Sequence, residues 1–273
     1  MINILSYGAG TNSTAILVGL RERGEAIDYI TFADTGGEKP ETYEHIKQVG
    51  FWLESNGMPP ITVVRGSQPA QVRRGSLEAE CLELGTMPSK VYGYGNCSQK
   101  WKLDPQNKFN TQLAAHLGIE LKDITRMIGF DADEPERMER AIRLGGKQPC
   151  GQRFPLVEWG WGRDECVAAI ARAGLPQPGK SACWFCPSSR KEEVLWLADR
   201  HPKLFARAVA MEQRALSGEG PAPAPTAIKG LGRHWSWKAL VDAAHASPAS
   251  LCEFSNAGLP ETDCGCYDGS DMA

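Results

Sequence analysis

The sequence predicts an α/β protein whose core is a parallel sheet of five strands with helices on its faces. Three short apolar segments, at 2–5, 28–33 and 61–64, are rich in β-branched and aromatic residues and are typical of buried strands. Helical patterns separate them. This β-α-β-α-β alternation is typical of a parallel sheet with right-handed crossovers. Ligands of such sheets bind at the carboxyl ends of the strands, so we expect function at that edge.

The remaining elements follow in chain order. We predict two further strands at 125–130 and 154–159, and helices over about 13–23, 41–56, 97–117, 135–144, 163–173, 191–199, 202–216 and 235–245. Residues 66–96 show weak periodicity and are expected to be a long irregular connection, a lid or substrate loop. We divide the chain into an α/β domain, 1–175, and a mainly helical C-terminal region with a cysteine-rich knuckle and tail, 176–273.

Composition narrows the class of protein. The 273 residues carry a net charge of −3, which argues against a general nucleic-acid binder. Residues 61–110, however, hold seven Lys/Arg against four Asp/Glu. That excess suits a polyanionic ligand, and a solvated surface run explains it equally well. No N-terminal signal and no apolar run of about 18 residues is present, so we expect a cytoplasmic protein without a membrane partner.

Small and polar residues follow the first two strands. The first loop reads Ser6-Tyr7-Gly8-Ala9-Gly10-Thr11-Asn12-Ser13 and opens a helix, and the second strand ends in Asp34-Thr35-Gly36. A small-residue loop at a helix N-terminus points backbone N–H groups at the space above the sheet, where a phosphate or sulfate is the natural guest. A plain tight turn is the alternative interpretation of the first loop.

The nine cysteines fall into groups. Cys183 and Cys186 form a C-x-x-C at a knuckle, Cys264 and Cys266 form a second close pair, and Cys97 opens a helix beside lysines. Three interpretations stay open: an iron–sulfur cluster on Cys97, Cys183, Cys186 and one more thiol; a structural zinc site that includes Cys264 and Cys266; or a dithiol redox pair. Cys81, Cys166 and Cys252 are expected to be core thiols.

Several of these motifs together resemble the phosphoadenosine phosphosulfate (PAPS) reductase family, within the N-type ATP pyrophosphatases that carry a P-P loop. The resemblance covers residues 1 to about 200. Its motifs are Ser6-x-Gly8…Ser13, Phe32-Ala33-Asp34-Thr35-Gly36, Pro40-Glu41-Thr42, Cys97 and Lys102 before Pro105, Gly129…Glu134…Arg137, and Cys183-x-x-Cys186.

The resemblance implies a Rossmann-like sheet with an adenine nucleotide, either ATP or PAPS/APS, over the strand ends, together with a 4Fe–4S cluster and a Mg²⁺ ion. The implied cluster ligands are Cys97, Cys183 and Cys186, with zinc as the alternative metal. The implied nucleotide-binding residues are Ser6, Gly8, Gly10, Thr11, Asn12, Ser13, Asp34, Thr35, Gly36, Lys100, Lys102 and Arg137.

Three departures from the family pattern bear on the reaction. Cys97 lacks the adjacent cysteine of the cluster-bearing reductases, so either another cysteine replaces that ligand or the fourth iron position is open, as in sulfur-transferring relatives. Asn12 replaces the carboxylate that helps to hold Mg²⁺. The tail segment Asp263-Cys264-Gly265-Cys266-Tyr267 is similar to the reductase nucleophile motif but lacks its histidine.

Three functions are therefore compared. The leading hypothesis is a sulfonucleotide reductase in which Cys264, next to Cys266, attacks the sulfur of the bound substrate. The second is an ATP-dependent nucleobase sulfurtransferase with an open cluster, a nucleic-acid partner and a thiol or protein sulfur donor. The third is a non-enzymatic nucleotide-binding module with structural zinc.

Overall fold

A computed structural model describes residues 1–145 and 150–246 of the chain. Cys252, Cys264 and Cys266 lie outside these residues, so the expectations that rest on them stay sequence-based.

A five-stranded, all-parallel sheet forms the centre of the molecule, as the sequence predicts. Its strands are β1 Ile2–Ser6, β2 Tyr29–Ala33, β3 Ile61–Val64, β4 Ile124–Met127 and β5 Gly151–Arg153. Their order in the sheet is β3-β2-β1-β4-β5, and every neighbouring pair is parallel. Because β1 is central and the next two strands extend to one side of it, the chain crosses over to β4 on the other side. The first loop therefore lies where the strand order reverses, the usual ligand position of such sheets.

The fifth strand is not where the sequence pattern placed it. The predicted segment 154–159 contains a short helix, Pro155–Glu158, and the strand is Gly151–Arg153. Pro155 occupies the first turn of that helix, where its missing N–H costs nothing, whereas in a ladder it would remove a hydrogen bond. The true strand pairs on one side only and has no apolar pattern that could reveal it.

Twelve helices are present among the described residues. They are α1 Thr11–Arg23, α2 Pro40–Ser55, α3 Pro69–Arg74, α4 Leu77–Leu84, α5 Asn96–Ser98, α6 Asp104–Leu117, α7 Pro135–Gly145, α8 Pro155–Glu158, α9 Arg163–Arg172, α10 Lys191–Arg200, α11 Pro202–Ser217 and α12 Trp237–Ala246. A 3₁₀ turn also occurs at Ser89–Tyr92, and a π-helical turn at Gln99–Leu103 joins α5 to α6.

The connection between β3 and α5 is largely helical, so the prediction of an irregular 66–96 segment was wrong. It contains α3, α4 and the 3₁₀ turn. Ser76 caps α4 by accepting a hydrogen bond from Ala79 N, and Gly75 and Gly85 end the two helices in left-handed conformation. Helices of six and eight residues are too short to display a clear hydrophobic period, because they span about two turns or fewer.

Two large hydrophobic cores position the site. One packs α1 and α9 on the sheet and includes Leu5, Ile16 and Ile170. The other joins the C-x-x-C knuckle and α10–α12 to the 77–101 segment and includes Trp101, Phe185 and Trp237. Residues far apart in sequence, from 77–101 and 182–244, therefore share one core around the cysteines.

No helix in the described ranges has both the length and the apolar character needed to cross a membrane.

Candidate functional site

The first loop contains a left-handed residue and is held together by a side-chain hydroxyl. Ala9 adopts a left-handed conformation, with φ 58°, which is uncommon for a residue with a side chain and is found in strained functional loops. The Ser13 hydroxyl bridges the turn: it accepts from Gly8 N at 3.1 Å and donates to the Gly10 carbonyl at 3.2 Å. The loop is thereby fixed at the N-terminus of α1, whose first N–H groups have no partner within the helix.

Asn12 connects this loop to the end of β4. Its amide nitrogen donates to Asp131 Oδ2 at 3.0 Å, to the Gly129 carbonyl at 3.2 Å and to Glu134 Oε2 at 3.3 Å. An aspartate here would face two carboxylates instead of donating to them. The structure thus explains why an asparagine stands at position 12: its amide can donate to Asp131 and Glu134, the two carboxylates that follow β4.

Asp34, at the end of β2, has several partners of its own. It accepts from Arg65 Nε at 3.0 Å, from the Tyr43 hydroxyl at 2.8 Å and from Gly36 N at 2.8 Å. Burial and this carboxylate raise the pKa of Tyr43 well above its usual value. Asp34 therefore holds the 34–37 turn in shape, and the neighbouring residue, Thr35, is directed to the cysteines.

The C-x-x-C knuckle packs directly on both loops. The Ser181 hydroxyl donates to the Gly8 carbonyl, and Thr35 Oγ1 lies 3.2 Å from Cys183 Sγ. A β-bridge between Glu38 and Cys183, with Trp184 N donating to the Gly37 carbonyl at 2.8 Å, fixes the register of this contact. Residues 181–184 are thereby tied to the first loop and to the end of β2.

The three predicted cluster ligands line one small pocket, the thiol pocket. Cys97, Cys183 and Cys186 line it together with Thr35 and Lys102. Its cavity volume is about 20 Å³, room for about one water molecule. Lys102, almost completely buried, lies 3.2 Å from Glu38 Oε1. The thiols thus meet a buried lysine–glutamate pair whose glutamate lies in the segment that follows β2.

The donor chemistry at this pocket suits iron or zinc, because three thiols are soft ligands. Within residues 1–145 and 150–246, however, no three His, Cys, Asp or Glu side chains are arranged so that they could hold a metal ion. The three cysteines line one pocket without converging on one point. A cluster on Cys97, Cys183 and Cys186 accordingly remains a proposal.

The predicted phosphate ligands outside the loops have carboxylate partners. Lys100 Nζ donates to Glu80 Oε1 at 2.6 Å, and Arg137 pairs with Glu134. Lys100 and Lys102 are two residues apart, and each lines a different pocket. Two of the seven basic residues in 61–110, Arg65 and Lys102, pair with carboxylates from outside that segment, Asp34 and Glu38.

Sequence reasoning missed two residues of this site. Ser181 stands two positions before Cys183 and contacts the first loop, a role that its nearness to the motif could have suggested. Glu38 is buried beside Lys102 and bridges to Cys183. No sequence signal marks Glu38, because its partners lie about 60 and 145 residues further along the chain.

The other described thiols have different surroundings. Cys166 in α9 and Cys81 in α4 are buried, as predicted for core thiols. Burial raises the pKa of the Cys81 thiol far above its usual range, which keeps it protonated. Cys150 is half-buried, and its sulfur lies 3.6 Å from the side-chain amide of Asn110.

Comparison with known proteins gives a likeness in sequence and a likeness in structure. The chain is 28% identical over 154 residues to an uncharacterized nin region protein, ORF290, of Escherichia phage lambda. It spans about half the length of that relative, and the match takes in 51% of each chain. A solved structure, the U34-tRNA thiolase NcsA from Methanococcus maripaludis with its [4Fe-4S] cluster, matches at 14% identity with a TM-score of 0.42, over 77% of this chain and 70% of that one. No model of a known protein family matches the sequence.

Proposed function

We propose that this protein is a nucleotide-dependent enzyme of sulfur chemistry, and specifically a sulfurtransferase that acts on an adenylylated acceptor. The observation that carries the proposal is the contact between the cysteine knuckle and the two loops at the strand ends: Ser181 donates to Gly8, and Cys183 lies against Thr35. A phosphate-binding turn and a set of thiols in direct contact suit a reaction that joins nucleotide and sulfur chemistry.

In the proposed reaction, the first loop holds the phosphates of ATP through backbone N–H groups of residues 9–13. A carbonyl oxygen of the acceptor attacks the α-phosphate, and pyrophosphate leaves. A hydrosulfide ion then attacks the activated carbon, and AMP departs with the former carbonyl oxygen. The products are a thiocarbonyl, AMP and pyrophosphate, so no external oxidant or reductant is needed.

The residues of the thiol pocket have distinct proposed roles. Lys102 supplies a buried positive charge near the reacting phosphate or sulfide, with Glu38 as its structural counter-ion. To hold a 4Fe–4S cluster, or zinc as the alternative metal, Cys97, Cys183 and Cys186 would have to turn towards one another. A cluster held there would supply an iron position for sulfide. Asp131 and Glu134 would attract Mg²⁺ to the nucleotide phosphates.

A sulfonucleotide reductase is the second candidate, and the sequence Asp263-Cys264-Gly265-Cys266 favours it. In that reaction the thiolate of Cys264 attacks the sulfur of PAPS or APS, the nucleotide leaves, and an external thiol releases sulfite. The reductase reaction requires Cys264, whereas the sulfurtransferase reaction requires the three cysteines of the thiol pocket.

One experiment compares the candidates. Protein prepared without oxygen is incubated with ATP, sulfide and total RNA or DNA, and AMP, pyrophosphate and thiolated nucleosides are quantified; a parallel reaction contains PAPS or APS with a dithiol. We expect AMP to form only when nucleic acid is present. Cys183→Ser should abolish the thiolated product, and Cys264→Ser should not.

The matched control is Cys166→Ser, a buried thiol of α9 outside the pocket. It should keep the wild-type yield. Sulfite release that depends on Cys264, with no thiolated nucleoside, would establish the reductase instead. Iron and zinc are measured on the same samples, and a colourless, zinc-loaded protein with neither product would favour the non-enzymatic module.

A further inference from the structure

A second and larger cavity adjoins the thiol pocket. Its volume is about 190 Å³, many times the ~10–15 Å³ that one water molecule requires. Cys97 lines both this cavity and the thiol pocket, as do Leu77 and Pro88. The sulfur-bearing residue Cys97 therefore stands between a pocket with room for about one water molecule and a cavity with room for a small organic group.

The walls of the cavity are mainly apolar and aromatic. Leu77, Met87, Tyr92 and Trp101 contribute to them. Trp101 is part of the π-helical turn Gln99–Leu103, a local geometry often found at functional sites. Aromatic and aliphatic walls of this kind are typical of sites that bind flat ligands.

The two charged side chains of the cavity form a donor–acceptor pair, and Thr86, Ser89 and Asn96 add further polar side chains to its lining. Lys100 Nζ and Glu80 Oε1 are 2.6 Å apart, and both residues line the cavity. The lysine side chain is 31% exposed and the glutamate 12%. Glu80 Oε2 also lies 3.6 Å from Arg74 Nη1. The Lys100–Glu80 pair offers an ammonium donor beside a carboxylate acceptor.

We propose that this cavity binds a heterocyclic nucleobase and presents it to Cys97. The inference rests on the proposed function, whose acceptor it identifies. A nucleobase has two apolar faces, which match the aromatic walls, and an edge with adjacent donors and acceptors, which matches Lys100 and Glu80. An aliphatic zwitterion would satisfy the charged pair but would leave the aromatic walls unused. The base can belong to a free nucleotide or to a nucleic-acid strand, since both present the same chemistry.

The test measures binding and the accessibility of Cys97 together. The four nucleosides, which lack phosphate, and single-stranded 10-mers of RNA and DNA are assayed by equilibrium dialysis. In parallel, the rate of Cys97 alkylation by iodoacetamide is followed by mass spectrometry. ATP binding is measured on the same preparations.

The variants are Lys100→Met, which removes the donor, and Asn96→Trp, which places a large side chain at an exposed position of the lining. Lys108→Met, an exposed lysine of α6, is the control.

We expect at least one nucleoside or oligonucleotide to bind and to slow Cys97 alkylation at least 5-fold. Lys100→Met and Asn96→Trp should each weaken that binding at least 10-fold, and Lys108→Met should not. Preference for a nucleoside would identify a free nucleotide as the source, and preference for a 10-mer would identify a strand.

The inference is overturned if no nucleoside or oligonucleotide binds or protects Cys97 at millimolar concentration. It is also overturned if both cavity variants bind like the wild type. Retained ATP binding in that case would leave the proposed function standing. Conversely, nucleoside binding without ATP binding would support the cavity and contradict the phosphate loop.

Discussion

Thr35 Oγ1 lies 3.2 Å from Cys183 Sγ, which brings the end of β2 into contact with a cysteine 148 residues further along the chain. Thr35 also accepts a hydrogen bond from Gly37 N at 3.2 Å. One hydroxyl therefore shapes the turn after β2 and orients the first thiol of the C-x-x-C.

Replacing the Thr35 hydroxyl should lower the free energy of unfolding by a measurable amount. Thr35→Val keeps the shape of the side chain but leaves Gly37 N without its acceptor, so we expect a loss of about 1–3 kcal/mol in the free energy of unfolding. Urea denaturation measures it. Thr111→Val, at an exposed position of α6, should cost less than about 0.5 kcal/mol. Equal costs for the two variants would contradict the structural role of Thr35.

Lys102 and Glu38 should behave as a buried ion pair. Lys102→Met leaves the Glu38 carboxylate buried without this cation, and we expect a loss of about 3–5 kcal/mol in unfolding free energy. Combining Lys102→Met with Glu38→Gln should recover a large part of that loss. Lys122→Met removes an exposed lysine that pairs with Glu120 and should change stability by less than about 1 kcal/mol. A double variant no more stable than Lys102→Met would argue against a coupled pair.

Asn12→Asp tests why the first loop lacks a carboxylate. The substitution replaces an amide that donates to Asp131 and Glu134 by a third negative charge. We expect it to destabilise the protein more than Asn12→Ala, which removes the same donors without adding charge. Millimolar Mg²⁺ should reduce the difference, because a divalent cation offsets carboxylate repulsion. Thermal unfolding of both variants, with and without Mg²⁺, is the measurement; an aspartate variant as stable as the alanine variant would refute the explanation.

His45 should make stability depend on pH. Its Nε2 is 3.1 Å from Thr14 Oγ1, and burial lowers the pKa of His45 from 6.5 to about 4. The unfolded chain therefore takes up a proton that the folded protein resists. Its contribution to stability is complete above pH 6.5 and falls as the pH drops towards 4, by roughly 3 kcal/mol in total.

The comparison of unfolding free energies between pH 7 and pH 4.5 checks this expectation. His45→Gln should flatten the pH dependence in that window, whereas His116→Gln, at an exposed position, should keep the wild-type slope. A His45→Gln variant that loses stability as steeply as the wild type would exclude His45 as the cause.

The sequence by itself determined the parallel sheet and two local motifs of the site, the first loop and the C-x-x-C. Alternation of apolar strands and helices predicted a five-stranded parallel sheet. An inner strand is buried on both faces, so its residues form a continuous apolar run that is visible in the sequence. The same logic failed for β5, which is an edge strand with little burial. Glycines in the first loop and the C-x-x-C at 183–186 were visible as local motifs, since a turn and a knuckle are set by neighbouring residues.

Only the tertiary structure decided how these pieces meet. In the folded chain Cys183 contacts Thr35. Lys102 pairs with Glu38, and Lys100 pairs with Glu80. Contacts of this kind join residues 20 to 148 positions apart. They depend on strand order and on the packing of a shared hydrophobic core, neither of which any local stretch of sequence encodes.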